Sequence, residues 1–244
     1  MSFAVAMIIW SVLTYGHFVN PLLLPTPMDV ARALMRMFSD ATFLNDIGVS
    51  VYRVMLGFLF SVLLGVPLGI LIGTFKSAEA FLEPINDFFR YIPVPAFLPL
   101  IILWIGLGNA NQISTIFVGT FFQLVLMVAD SVSRVAKELI EAGQTIYGNN
   151  SRILILHVLI PSTAPDIYDN MRIAVGWAWS YLVLAEVVAA NSGIGHTIVQ
   201  AQRFVQTDVV IAGIIVVGLL GLALDYIFKI LFPFFFPWSE KGKA

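Results

Sequence analysis

The chain has no cysteine, so neither a disulfide framework nor a thiolate metal site is open to it. Charge is nearly as scarce. Asp, Glu, Lys and Arg make up 11% of its 244 residues, against about a quarter in soluble domains. The net charge is −2 with no basic run, which removes the electrostatic footprint of a nucleic-acid binder. No G-x-x-x-x-G-K-S/T segment occurs, so the chain has no P-loop to cradle nucleotide phosphates. What fills the space is apolar: 59% hydrophobic residues and a mean hydropathy of +0.91. A soluble globule needs polar cover and cannot hide that much apolar surface, and a disordered chain would carry far less of it. The composition is that of an integral membrane protein in contact with lipid.

Crossing about 30 Å of hydrocarbon takes roughly 20 apolar residues in a helix. The stretches without charge therefore mark the spans. Met1–Met28 has none, Val54–Phe75 lies between Arg53 and Lys76, and Tyr91–Ala129 is broken only by Gly106-Leu-Gly-Asn-Ala-Asn-Gln112, a turn signal. Ile173–Ala185 continues past Glu186, and Val209–Pro233 is interrupted by Asp225 and Lys229. These predict an all-α membrane fold of six spans at 3–20, 46–75, 80–106, 110–135, 162–190 and 208–233, forming one domain over 1–244. Strands are disfavoured because the runs are continuous rather than alternating. Residues 27–39, with Arg32 and Arg36 opposite an apolar face, predict an interfacial helix. The N-terminus lacks a basic n-region, so the first run is expected to be a retained span rather than a signal peptide. Phe232–Trp238 reads as an interfacial aromatic anchor. With the N-terminus inside, seven Lys and Arg lie inside against three outside (Arg32, Arg36, Arg203), which favours two cytoplasmic termini.

Ionisable residues at membrane depth are costly and so point to function. In the fifth span Arg172, Gly176, Trp179, Val183 and Glu186 fall on one helical face. That face looks either into a polar pathway or onto charged partners in neighbouring helices. Arg172 and Glu186 are about 21 Å apart along the axis, too far to pair with each other. Glu83, Asp87 and Arg90 recur at +4 and +7 just before Pro93 and Pro95, which break a helix. Two readings stand there: a cytoplasmic amphipathic shoulder, or a broken-helix substrate site. The three histidines are scattered and suggest no metal site.

One connection is not a turn. Residues 134–161 are long, charged and cytoplasmic by the count above. A helix ends at Gly148, Asn150 or Ser151 can cap the next one, and Ile153–Ile160 is too short to cross and stops at Pro161. Glu141-Ala142-Gly143, Gly148 and Leu159-Ile160-Pro161 resemble the EAA loop of binding-protein-dependent ABC importer permeases. Gly148 to Pro161 keeps the family spacing, whereas Gly143 replaces the second alanine and Gly148 falls one residue late. The resemblance covers nearly the whole chain. Leu22-Leu-Leu-Pro25-Thr-Pro27, Val51-Tyr-Arg53-Val-Met-Leu-Gly57, Gly65-Val-Pro67-Leu-Gly69, Arg90-Tyr-Ile-Pro93-Val-Pro95, Met171-Arg172-Ile-Ala-Val-Gly176 and Ser192-Gly193-Ile-Gly195 resemble its nitrate, sulfonate, taurine and bicarbonate branch.

The resemblance implies a type I importer permease in a bacterial-type plasma (inner) membrane. Two ATPase subunits, which carry the ATP and Mg, would dock on Glu141, Ala142, Gly143, Gly148, Arg152 and Pro161. A second permease subunit, expected to be an identical copy, would complete the pathway. An extracytoplasmic binding protein would deliver a small anion, with Arg172, Gly176, Glu186 and Arg90 as pathway candidates. No cofactor and no catalytic residue is expected in this chain. The competing class is a self-contained secondary transporter or channel, which would show an internal repeat with paired broken helices. An intramembrane enzyme is disfavoured, since no Ser/His/Asp set or metal-ligand spacing sits in the spans.

Overall fold

The computed structural model describes residues 2–148 and 150–239, and every regular element among them is a helix. In chain order these are α1 (Ser2–Tyr15), α2 (Pro27–Ser39), α3 (Ala41–Thr74), α4 (Lys76–Arg90), α5 (Val94–Ile105), α6 (Asn109–Ser133), α7 (Lys137–Tyr147) and α8 (Ser151–Leu154). A π-helical stretch (Ile155–Leu159) then leads into α9 (Ile160–Ala189), followed by α10 (Ile194–Arg203) and α11 (Thr207–Phe235).

Four runs among the described residues are long and apolar enough to cross a membrane: α3, α6, the continuous Ser151–Ala189 and α11. A fifth crossing is available from α4 and α5 taken together, but these are bent by 94°. The single span expected at 80–106 is thus two helices. Pro93 has no amide to donate and its ring crowds the preceding turn, so the chain cannot continue straight. The first expected span, 3–20, is shortened too. α1 ends at Tyr15, where Gly16 and the positive φ of His17 (56°) turn the chain away. Its 14 residues fall short of the roughly 20 a straight crossing needs.

α3 begins five residues before the expected start, because the Asp40 carboxylate accepts from the Thr42 amide at 2.9 Å and caps it there. α2 lies where the sequence places it. Its N-cap Thr26 accepts from the Asp29 amide and donates to the Asp29 carboxylate at 2.6 Å, holding that carboxyl below its ordinary pKa. Helix α10 was not expected. The chain does turn at Ser192-Gly193, and then buries Ile194, Ile198 and Ala201 while His196, Gln200 and Arg203 look outward.

The main core lies where α3, α6, α9 and α11 meet, around Val54, Phe58, Ile116, Leu124, Val128, Val175 and Leu182. A second cluster joins α2, α10 and α11 through Val30, Ala33, Ile194, Ile198, Ala212 and Val216. Lipid is as apolar as leucine, so helices in a membrane associate by close packing of small residues. Gly57, Gly69 and Gly73 of α3 supply this against α6: a Cβ at Gly69 would sit 2.6 Å from Val128 Cβ and 2.7 Å from the Val125 carbonyl oxygen. Between them, Ser61 and Thr120 hydroxyls share a hydrogen bond of 2.5 Å. The aromatic tail is only partly an outward anchor. Phe232 and Phe236 pack on Tyr168, while Phe234 and Trp238 stay exposed.

Candidate functional site

Three polar constellations interrupt the apolar bundle. The first is the 134–161 segment. Gly148 closes α7 at a φ of 71° and ψ of −169°, and the Asn150 side chain caps α8 by accepting from the Arg152 amide at 3.1 Å. The following residues do not stop at Pro161, as the sequence suggested. The Ile160 amide reaches back to the Ile155 carbonyl, a five-residue step, and the widened turn admits Pro161 in the first turn of α9. Proline is tolerated there because the wider turn has already shifted the hydrogen-bond register that its missing donor would have completed. Gly143 is buried against this stretch. A Cβ on it would lie 2.8 Å from Val158 and 3.2 Å from Leu154, so glycine lets α7 close onto the π turn. Glu141, Ala142, Gly148, Arg152 and Pro161 remain exposed, as do the apolar Leu139 and Ile146.

The second is a buried ionic cluster. Arg53 Nη1 donates to Glu186 Oε1 at 2.7 Å, with both side chains almost fully covered. The remaining guanidinium donors are used as well, on Asn109 Oδ1 (2.9 and 2.7 Å), the Ser192 carbonyl (2.8 Å) and Ser192 Oγ (3.1 Å). Three successive amides at the start of α10 are satisfied from other helices. Gly193 donates to Asp46 Oδ1 (2.8 Å), Ile194 to Ser50 Oγ (3.0 Å) and Gly195 to Glu186 Oε2 (2.8 Å). Carboxylates at a helix N-terminus satisfy orphan donors and oppose the positive end of the dipole. Gly193, at a φ of 105°, leaves room for the Glu186 carboxylate, which a Cβ there would overlap. Glu186 is thus a tie between α3, α9 and α10. Sequence reasoning gave Arg53, Asp46 and Ser50 no role, although 46, 50 and 53 fall on one face of α3.

The remaining stripe residues of α9 divide. Arg172 Nε lies 3.4 Å from Asp225 and its Nη1 3.9 Å from Asp169, while Lys229 Nζ sits 2.6 Å from the other Asp225 oxygen. Gly176 is exposed beside α11, whereas Trp179 is buried.

The third constellation sits at the α4–α5 bend. Arg90 Nε donates to Asp87 at 2.7 Å and Nη2 to the Tyr91 hydroxyl at 2.9 Å, with the guanidinium 4.2 Å over the Tyr91 ring. Arg90 lines a cavity of about 300 Å³ whose walls include Pro93 and Val94, Gly119, Phe122 and Gln123 of α6, and Trp177 and Tyr181 of α9. No cluster of His, Cys, Asp and Glu suited to a metal is present among the described residues.

Residues 65–236 match the family described as "Binding-protein-dependent transport system inner membrane component". The taurine transport system permease protein TauC of Escherichia coli (strain K12) is 32% identical over 98% of this chain and 88% of its own length. The putative aliphatic sulfonates transport permease protein SsuC of Bacillus subtilis (strain 168) is 32% identical over 98% and 86%. In solved structures, a chain of the inward-facing MetNI methionine ABC transporter superposes with a TM-score of 0.65, at 20% identity, over 78% of this chain and 96% of that one. The ATPase of such an importer is a separate chain, in keeping with the missing P-loop. With a family match over most of its length and near full-length similarity to the taurine and sulfonate permeases, the chain belongs to the binding-protein-dependent ABC importer permeases: a multi-pass, non-catalytic inner-membrane transport subunit.

Proposed function

We propose that the chain pairs with a second copy of itself, crosses the membrane six times with both termini in the cytoplasm, and docks two ATPase subunits on the 134–161 elbow. On this reading α1 serves as the short first crossing and α4–α5 as a bent third one. The observation that carries the docking is the division of α7 into two faces. Gly143 is buried on the π turn that leads into a spanning helix, while Glu141, Ala142, Leu139 and Ile146 stand uncovered. A push on α7 would reach α9 through that contact. The cargo is a small anion of the nitrate, sulfonate, taurine or bicarbonate type, a reading supported by the taurine and sulfonate named in the relatives.

Gly148→Val tests the dock. A Cβ at Gly148 meets nothing within 4 Å, so any effect comes from the backbone alone. Its φ and ψ lie in a region almost reserved for glycine, where another residue costs about 1–3 kcal/mol. The expected result is a chain that still inserts but releases its ATPase partner on purification and loses ATP-driven uptake. Normal co-purification together with normal uptake would reject the elbow as the dock.

A further inference from the structure

We propose that the cavity at the α4–α5 bend is an anion-selective station within the transport pathway, built by Arg90, Gln123, Trp177 and Tyr181. The proposal rests on the permease reading above and adds to it a place and a chemistry.

Position comes first. Val118, Gly119, Phe122 and Gln123 lie about 13–21 Å along α6 from its start at Asn109. Trp177 and Tyr181 lie about 12–18 Å along α9 from its end at Ala189. Both distances bracket the middle of a hydrocarbon layer about 30 Å thick. On that reckoning the cavity sits near mid-membrane depth, where a charge met by neither the protein nor water inside the cavity is costly.

Each of its polar side chains can donate. Arg90 keeps Nη1 unused after bonding Asp87 and Tyr91 through its other nitrogens. Gln123, Trp177 and Tyr181 line the same space, and their polar groups bond no other described residue. Pro93 and Val94, at the start of the 12-residue α5, complete the wall. Asp87, the carboxylate that pairs with Arg90, is not part of the lining. An arginine in the wall, spare donors and no carboxylate in the lining favour an anion over a cation.

The shape limits the guest. Phe89 stacks on Phe122 at 5.2 Å between centroids, closing one side with rings. The Tyr181 ring packs directly on Gly119, where any side chain would displace it. About 300 Å³ holds a sulfonate or small oxyanion with a few waters and excludes a large organic anion. Part of the Arg90 charge is already balanced by Asp87, which suits brief occupancy rather than tight capture.

The absence of native cysteine makes the test direct. Gln123→Cys and, as a reference in an exposed loop, Asn20→Cys are introduced one at a time into the full complex with its ATPase. Each is labelled with two methanethiosulfonate reagents, one carrying a sulfonate and one a quaternary ammonium, with and without ATP. The modified permease chain is quantified by mass. The sulfonate-to-ammonium rate ratio is expected to be about tenfold or more higher at 123 than at 20, the scale on which a positively lined cleft concentrates anions. Adding Arg90→Gln should collapse the excess, and Arg90→Lys should keep most of it. Equal ratios at the two positions would overturn the station, as would a cysteine at 123 that neither reagent reaches in either nucleotide state. If the Arg90 variants do not assemble, the comparison of 123 with 20 in the native background decides alone. ATPase retention in the same preparation reports on the permease reading independently, so a docked complex with an unselective cysteine rejects the station only.

Discussion

Glu186→Ala is expected to cost about 3–5 kcal/mol of stability, because it strands Arg53 without its counter-charge in a site that water does not reach. The same change removes the acceptor for the Gly195 amide and one partner of Ser50. Helix α10 should then lose its seat on α3 and α9. In detergent the variant should melt well below the native chain, and limited proteolysis should cut near Ser192. Arg53→Ala should be similarly damaging, since it leaves the carboxylate buried with only Ser50 and Gly195 to satisfy it. The informative partner is the double change Arg53→Met with Glu186→Leu. Removing both charges spares the desolvation penalty and should recover much of what either single change loses. A charge reversal should not rescue, because an arginine at 186 would face the Gly195 donor. Single variants as stable as the native chain would show that the pair does not hold the loop.

The second large effect is steric and separates two glycines on the same helix. Gly69→Ala should force α3 away from α6, because its Cβ would meet the Val125 carbonyl oxygen at 2.7 Å and Val128 Cβ at 2.6 Å. Neither is the free end of a flexible side chain, so the backbone must move, at about 1–3 kcal/mol for overpacking. Gly65→Ala, one turn earlier, meets only ordinary contacts of 3.5–3.6 Å from Phe121, Leu124 and Val125 side chains. Its better helix propensity, about 1 kcal/mol over glycine, should leave it neutral or slightly more stable. Thermal melting of the two variants side by side checks this. If both behave alike, the α3–α6 approach is not set by glycine packing.

How far each feature shows in the sequence follows the range of the force behind it. Hydropathy is a sum over neighbours in the chain, so the cores of α3, α6, α9 and α11 were visible without coordinates, as were the helix α2 and the turn at Gly106. Local chemistry also marked the break at Pro93, though not its 94° angle, which depends on what α4 and α5 pack against. Ends were less legible. Asp40 extends α3 beyond its apolar stretch, and a π turn joins Ser151 to a helix that Pro161 was expected to begin. One is settled by a side-chain cap and the other by a backbone hydrogen bond, neither of which hydropathy registers.

The sequence alone determined that the chain lives in a membrane and holds no nucleotide loop, because apolar content and a missing motif need no fold to be counted. The order of short motifs likewise carried the family. Tertiary structure alone decided what each charge on α9 pairs with. Arg172 and Glu186 share a helical face, yet Glu186 meets Arg53 across 133 residues of sequence and Arg172 meets Asp225. Nor could any spacing show that Gln123, Trp177 and Tyr181 share a cavity with Arg90. A Coulomb partner or a cavity wall is set by distance in space, and the packing of helices, not the order of residues, sets that distance.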